Sequence, residues 1–314
     1  MPTSDTFPYQ SGATQILFGE ETTQGSAATP DTNLLVEDEA ELPDPENDWI
    51  EQRPIGTGRT IDSKDQGRQT FEGATIPITV TGIDPFYWLL GSKSTTNNVT
   101  TVTPAASDDP SNAKLPPSQT IEATLYNPPD SNTSVRTFTG GVPDSGSIQI
   151  ANDDRVIVEL DYTALDMSLG SSPTSVSLTT DEKWIFADTT PTGELNAFGT
   201  DFARVTDFQI DVNNNLQTGE YIRNSRKPKE LAYGNAEIEA SFTINPTDDT
   251  LLDKVLNGAE ADADIVLDNG SKKLTVTAKN LGLESAPHSI PMEDKVEVEA
   301  SGVANGLEIK VDTS

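Results

Sequence analysis

The chain of 314 residues has no cysteine and a single histidine. The first absence excludes disulfides, thiolate metal sites and cysteine nucleophiles. The second leaves any Ser–His–Asp chemistry dependent on His288, which lies in "SAPHSIP" with no nucleophile motif beside it and reads as an exposed loop residue. Lys and Arg are scarce, 20 against 51 Asp and Glu, for a net charge of −31. A mean field of that sign repels phosphate, so DNA binding through a basic patch is not expected. Aromatic residues make up 6%, so the core must rest on Val, Ile, Leu and Ala. No run of about 18 apolar residues occurs, so no membrane span is expected. The opening "MPTSDTFPYQ" lacks the charged and apolar regions of a signal peptide, and synthesis in the cytoplasm is expected. Walker and dinucleotide loops are missing as well. No cofactor is implied, and no enzyme activity is expected.

What the chain does have is acid, glycine and proline. The carboxylates are spread along the whole length, which favours adaptation to high salt over a dedicated cation-binding or partner-binding tail. With 51 of them, hydrolase-like spacings arise by chance and carry no information. The three acids of "ADADIVLDNG", Asp262, Asp264 and Asp268, are a candidate calcium set. They lack the turn glycine of an EF-hand loop and fit a strand and hairpin turn better, so no metal site is assigned. Gly (22) and Pro (21) punctuate the chain as a strand-and-turn protein requires.

Residues 1–47 are polar and read as an N-terminal arm with one strand near Leu34–Val36. A first β domain is expected over 48–165. It contains the alternating strand "GATIPITVTGI", a short helix begun by Asp84-Pro85 and stopped by Gly91, and a polar surface insertion at 92–118. Strands are expected at 120–126, 134–140, 147–150 and 155–165. A linker covers 166–202, with "KWIFA" as a short strand or packing anchor. A second β domain follows over 203–314. In it "ARVTDFQIDV" and "AEIEASFTI" alternate, and "NPTDDTLLDKVLNG" is the best helix, capped by Asn245 or Thr247 and ended by Gly258. Its buried stripe is expected to be Leu251, Leu252, Val255 and Leu256.

The halves resemble each other. "IANDDRVIVE" (150–159) lies over "IPMEDKVEVE" (290–299) at an offset of 140. Upstream, Gly58/Gly219, Ile61/Ile222, Gly73/Gly234 and Pro85/Pro246 suggest 161, which leaves 21 extra residues in the first half. At 161 the strand faces are out of phase, because Ile76 meets Glu237; a slip to 162 with a bulge at Gly82 would restore the phase. Basic residues recur at matching places. Arg53, Arg59, Lys64 and Arg68 precede the first alternating strand, and Arg223, Arg226, Lys227 and Lys229 precede the second. Both sets are candidate contact loops for acidic faces of neighbouring copies, where charge sets register more than strength.

Three pieces carry a family resemblance: an E-T-x-x-G opening (Glu21, Thr22, Gly25), a strand–DP–LLG unit at 73–91, and the block 213–258 with "RKPKELAYGNAEIEASFTI". With them the chain resembles the tail tube proteins of long-tailed phages and head-tail archaeal viruses. The resemblance implies a mainly β fold: two tandem tube-type β-sandwich or barrel domains, each with one flanking helix. It implies a virion structural protein that self-assembles into stacked rings, a conduit for DNA that passes without sticking. Two fused domains imply trimeric rings with pseudo-sixfold symmetry, with hexamers as the second choice. The eight basic residues become ring-stacking contacts, and other tail proteins meet the tube at its ends and in its lumen. The heavy acidity suggests a haloarchaeal host. The alternative is a β-rich virion fibre or adhesin, with or without cation dependence.

Overall fold

The structure is a computed structural model that describes residues 9, 14–37, 39–52, 63–104, 115–127, 132–188, 195–202, 204–219, 221–290 and 295–313. The first half contains β1 (Gln15–Glu20), β2 (Leu35–Val36), β3 (Pro45–Gln52), β4 (Ser63–Phe71), β5 (Ala74–Thr79), α1 (Asp84–Leu90), β6 (Gly91–Thr96), β7 (Val99–Pro104), β8 (Gln119–Asn127), β9 (Asn132–Ala151), β10 (Ile157–Thr163) and β11 (Asp166–Gly170). The second contains β12 (Leu195–Ala197), β13 (Thr200–Phe202), β14 (Val205–Asn213), β15 (Gln217–Thr218), β16 (Leu231–Ala232), β17 (Glu237–Ile244), α2 (Thr250–Asn257), β18 (Glu260–Asp268), β19 (Lys273–Ser285), β20 (His288–Ser289), β21 (Glu297–Val303) and β22 (Gly306–Asp312). The fold is mainly β, with two helices among the described residues.

Two sheet layers face each other across one core. A single row of antiparallel strands, β2-β5-β10-β9-β14-β17-β21-β19, crosses both halves. Its inward residues follow the period of two. Ile76, Ile78, Val158, Leu160, Phe208, Ile210, Ala240 and Phe242 are buried in one continuous cluster with Phe18, Ile121 and Phe138 of the facing layer. Burying each of the larger of these side chains stabilises the fold by about 1.5–3 kcal/mol.

Both layers are joined by strands that switch between them. β9 is one strand of 20 residues, where the sequence suggested two. Its first part pairs with β8 and β11, its last part with β10 and β14. Gly140, at φ +67, makes the corner, and a Cβ there would stand 2.7 Å from the Leu165 side chain. β19 does the same in the second half, pairing with β18 and β22 and then with β21.

The pairing scheme recurs. The contacts β1·β8, β2·β5, β5·β10, β10·β9, β9·β8 and β9·β11 have the same order and sense as β12·β18, β14·β17, β17·β21, β21·β19, β19·β18 and β19·β22. Val158 pairs with Ile78, and Val298 pairs with Ile244. Matching positions near the helices therefore lie 166 apart (78 and 244), not 161 or 162. The apolar faces are in phase at that spacing, and no bulge at Gly82 is needed. The helix C-caps Gly91 and Gly258 lie 167 apart, and the hairpin pairs Asn127–Asn132 and Asp268–Lys273 lie 141 apart. The surplus is thus 167 − 141 = 26 residues rather than 21, placed between Gly91 and β8. Much of it is not loop: β6 and β7 form a hairpin, and β7 pairs with β22 of the second half. Val102 points inward there and is fully buried.

The stretch expected to be a linker begins as β11 and ends as the β12–β13 hairpin. Between them the chain crosses the outer face of the first half. Thr174 donates its N–H and hydroxyl to the Glu122 carboxylate at 2.7 and 2.8 Å, and Thr179 N–H donates to Asn33 C=O at 3.0 Å. Trp184 is the packing anchor. It is fully buried, its C=O accepts from Val156 N–H, and its indole donates to Lys272 C=O at 3.2 Å.

α1 forms as its sequence suggests, with Pro85 in the first turn and Gly91 in the left-handed C-cap conformation. Phe86, Trp88 and Leu89 are buried, and the Trp88 ring lies 4.8 Å from that of Phe18. α2 differs from expectation. Neither Asn245 nor Thr247 caps it; the Asp248 carboxylate accepts from Thr250 N–H at 3.0 Å. Only Leu251 of its stripe is buried, while Leu252 and Leu256 are exposed. Among the described residues of the second half, none covers α2 as Phe18 covers α1.

Candidate assembly surfaces

Period-two strands that bury one face must show the other. The outward face of the eight-strand row carries Glu159, Asp161, Asp207, Asp211, Glu237, Glu239, Glu297 and Glu299, interleaved with Ser145, Ser147, Gln149, Ser241 and Ser301. Outward positions of β10, β14, β17, β21 and the last part of β9 include no Lys or Arg. Acids from distant segments are brought side by side by register. Asp207 and Glu299 flank Thr243 on either side, and Asp211 lies across Ser147 from Glu159. Partial burial, and then the Glu299 charge, raise the Asp207 carboxyl above the usual aspartate range. An acidic trough of about 410 Å³ runs along this face from Asp161 to Glu239.

Among the described residues the row has two open ends. At one end β2 shows an unpaired edge, continued by Glu37, whose N–H donates to Pro77 C=O at 2.9 Å. At the other, His288 and Ser289 pair with β21 on one side only. His288 is exposed, as expected of a loop histidine, but sits on a strand edge beside the cavity at the start of α2. Exposed edges of this kind are templates for a further strand.

The long connections before β5 and β17 rise as hairpins, β3–β4 and β15–β16. Of the eight candidate basic residues, Arg53 and Arg59 lie outside the described residues. Lys64 is on β4 and faces Glu51 at 4.0 Å, and Arg68 is on the same strand. The second set is turned largely on its own chain. Arg223 donates to the carbonyls of Lys227 and Pro228, both at 2.6 Å. Arg226 donates to Asn47 of β3 at 3.4 Å, and its C=O accepts from Gln69 N–H of β4 at 3.1 Å. Lys227 pairs with Asp166. Lys229 lies 4.0 Å from Glu230 and 5.3 Å over the Tyr221 ring. The two loops thus meet, with Arg226 between them. Sequence reasoning missed the apolar residues on these loops: Trp49, Ile50, Tyr221 and Ile222 are all exposed. The signal was present in "DWIEQ" and "GEYIRN", large apolar residues set in strongly polar segments.

Glu21 of the E-T-x-x-G opening is buried and fully engaged. Its carboxylate accepts from Gly25 N–H (2.8 Å), Gly140 N–H (2.8 Å), Ser118 hydroxyl (3.0 Å) and Thr120 hydroxyl (2.9 Å). Gly25 has φ +79, where the opening requires glycine. The motif is a structural lock joining β1, β8 and the β9 corner. Two of the three candidate calcium acids are similarly occupied. Asp262 accepts from Asn280 N–H and Lys279, both at 3.0 Å, and Asp268 caps its turn at Gly270 N–H. Among the described residues no group of three or more His, Asp or Glu is placed to hold a metal ion. No helix among them is long and apolar enough to cross a membrane.

Fold and surface together define a mainly β protein whose conspicuous features are edges, loops and one charged face. The family model for phage tail tube proteins matches residues 12–304, and the chain belongs to that family. It is accordingly a structural tail tube component of a virion, a class that is generally non-enzymatic and that assembles with itself and with other tail proteins. A search of curated proteins gives no match.

Proposed function

We propose that this chain is a tandem of two tube domains that closes into trimeric, pseudo-sixfold rings, and that the rings stack into a conduit for DNA. The observation that carries this reading is the eight-strand row, four strands from each half, joined at β9·β14 and open at both ends. Repeating the β9·β14 joint between the β19–β20 end of one copy and β2 of the next extends the sheet without a break. Closure removes both edges. The recurring pairing scheme supports the tandem reading, and three copies of two halves supply six equivalent sectors.

The acidic face then lines the lumen. Phosphates meet carboxylates and hydroxyls, with no basic side chain to displace their condensed counterions, so the genome slides rather than binds. Crowding so many like charges costs least where salt screens them, at Debye lengths near 3 Å in molar salt. This supports a high-salt, haloarchaeal host and synthesis in that host's cytoplasm. Purified protein is expected to form hollow stacked rings in molar salt by electron microscopy; monomers alone across all salt conditions would overturn the reading.

The hairpins β3–β4 and β15–β16, with Arg53, Arg59, Lys64, Arg68, Arg223, Arg226, Lys227 and Lys229, serve as stacking contacts, with Trp49, Ile50, Tyr221 and Ile222 as their apolar part. The double variant Arg226→Glu, Lys227→Glu is expected to melt within a few degrees of the parent, because partly exposed pairs contribute under about 1 kcal/mol each. Its rings are expected to remain single. Long tubes from that variant would remove these residues from the stacking contact.

A further inference from the structure

Matching positions of the two halves differ sharply in burial at one place. In the first half Thr79, Val80 and Thr81 are buried, and so is Val156. Their counterparts by register, Asn245, Pro246 and Thr247 at the start of α2, are half-buried or exposed, and Val296, the counterpart of Val156, is 37% exposed. A cavity of about 290 Å³ opens there, lined by Phe202, Ile244, Asn245, Leu251, Leu252 and His288 among others. The Asn245 Nδ2 is buried and has no acceptor among the described residues.

The first half shows what fills such a place. The chain just before β12 runs over it, with Trp184 buried and its C=O bonded to Val156 N–H. From the second half, Lys272 reaches across and donates to Thr81 C=O at 3.2 Å. β12 corresponds to β1, since Ala197 pairs with Ala263 as Leu17 pairs with Glu122. Positions 197 and 17 differ by 180, so residues 1–14 stand before β1 where 181–194 stand before β12. That segment contains Phe7 and Tyr9. Within one chain the place before β12 follows the connection from β11, and among the described residues none fills the cavity beside α2.

We infer that this cavity is the docking site for the N-terminal arm of a second copy, which enters beside α2 as the Trp184 segment enters beside α1. The inference rests on the ring reading and deepens it: the arm binds the neighbour in the same ring, so that each joint has a clasp as well as a strand pair. An aromatic of the arm fills the apolar part of the cavity, and an arm carbonyl accepts from Asn245 Nδ2. The exposed apolar edge of α2 lies along the same entry.

The absence of cysteine makes the test clean. The full chain carrying Asp5→Cys and Thr247→Cys, assembled in molar salt and treated with a short bis-maleimide, is expected to give a covalent ladder that ends at the trimer. Single-cysteine variants give no ladder beyond the dimer. A ladder that ends at six upholds the docking and corrects the ring number. Rings seen by electron microscopy without cross-linked oligomers overturn the docking and leave the ring reading standing. An internally bridged monomer means that the arm folds on its own chain, which also overturns it; absence of both rings and ladder overturns both. Phe7→Ala with Tyr9→Ala is expected to raise the concentration needed for assembly at least tenfold without moving the melting curve, and unchanged assembly would count against the aromatic plug.

Discussion

Replacing Glu21 by alanine lowers the unfolding free energy by roughly 3–5 kcal/mol. The carboxylate is buried and accepts four hydrogen bonds, two from backbone amides and two from hydroxyls. Removing it strands donors from Gly25, Gly140, Ser118 and Thr120 at the point where β1, β8 and the corner of β9 meet. Each stranded donor costs about 1–3 kcal/mol, less whatever entering water restores. For a fold whose whole margin is of the order of 5–15 kcal/mol, this is a large fraction. A thermal melt is expected to fall by about 5–8 °C. Glu21→Gln, which keeps one acceptor oxygen but adds an amide that needs partners of its own, should fall between. A melt unchanged in Glu21→Ala would mean that the opening motif is not the lock described here.

The second large effect concerns assembly rather than folding. Ile290 is 79% exposed on the open end of the row, while its counterpart Ile150 is 7% exposed because β14 lies beside it. Ile290→Asp should therefore leave the monomer intact, since little surrounds the side chain. In the proposed ring the same position is covered by β2 of the next copy. Burying an isoleucine there contributes about 2 kcal/mol, so its loss weakens each joint by about 30-fold. Three joints must hold at once in a trimer, and closed rings are expected to disappear. Sedimentation of the variant in molar salt should show monomers with a native melt. Rings of normal abundance would mean that this edge is not the joint.

Both experiments probe features that sequence patterns disclosed unequally. The short helix α1 is written locally, in Asp84-Pro85 and Gly91, and the structure has it at those residues. β5, β14 and β17 announce themselves by alternation, because a half-buried strand needs period two whatever its partner. β3 and β4 do not alternate: Trp49 and Ile50 are consecutive and so lie on opposite faces of a ribbon whose two strands pair with each other. Gly140, Gly141 and Pro143 are turn signals in isolation and predict a break within β9. In the fold they form the bend by which one strand serves two layers. Helical periodicity predicts a buried α2 stripe because it records amphipathicity, not the presence of a cover. The basic loops were visible as charge runs, whereas their turn inward on Asn47 and Asp166 was not, since those partners lie far away in sequence.

The sequence by itself determined the secondary structure class, the strong acidity, the absence of cysteine, and the family to which the chain belongs. These depend on composition and on patterns within a dozen residues. Only the tertiary structure decided that carboxylates from β10, β14, β17 and β21 share one face, that the halves match at 166 rather than 161, and that one end of the second half stands uncovered among the described residues. Each follows from which strands pair and in which register. Such pairings join residues tens or hundreds of positions apart and are fixed by packing of the whole core, so no local pattern encodes them.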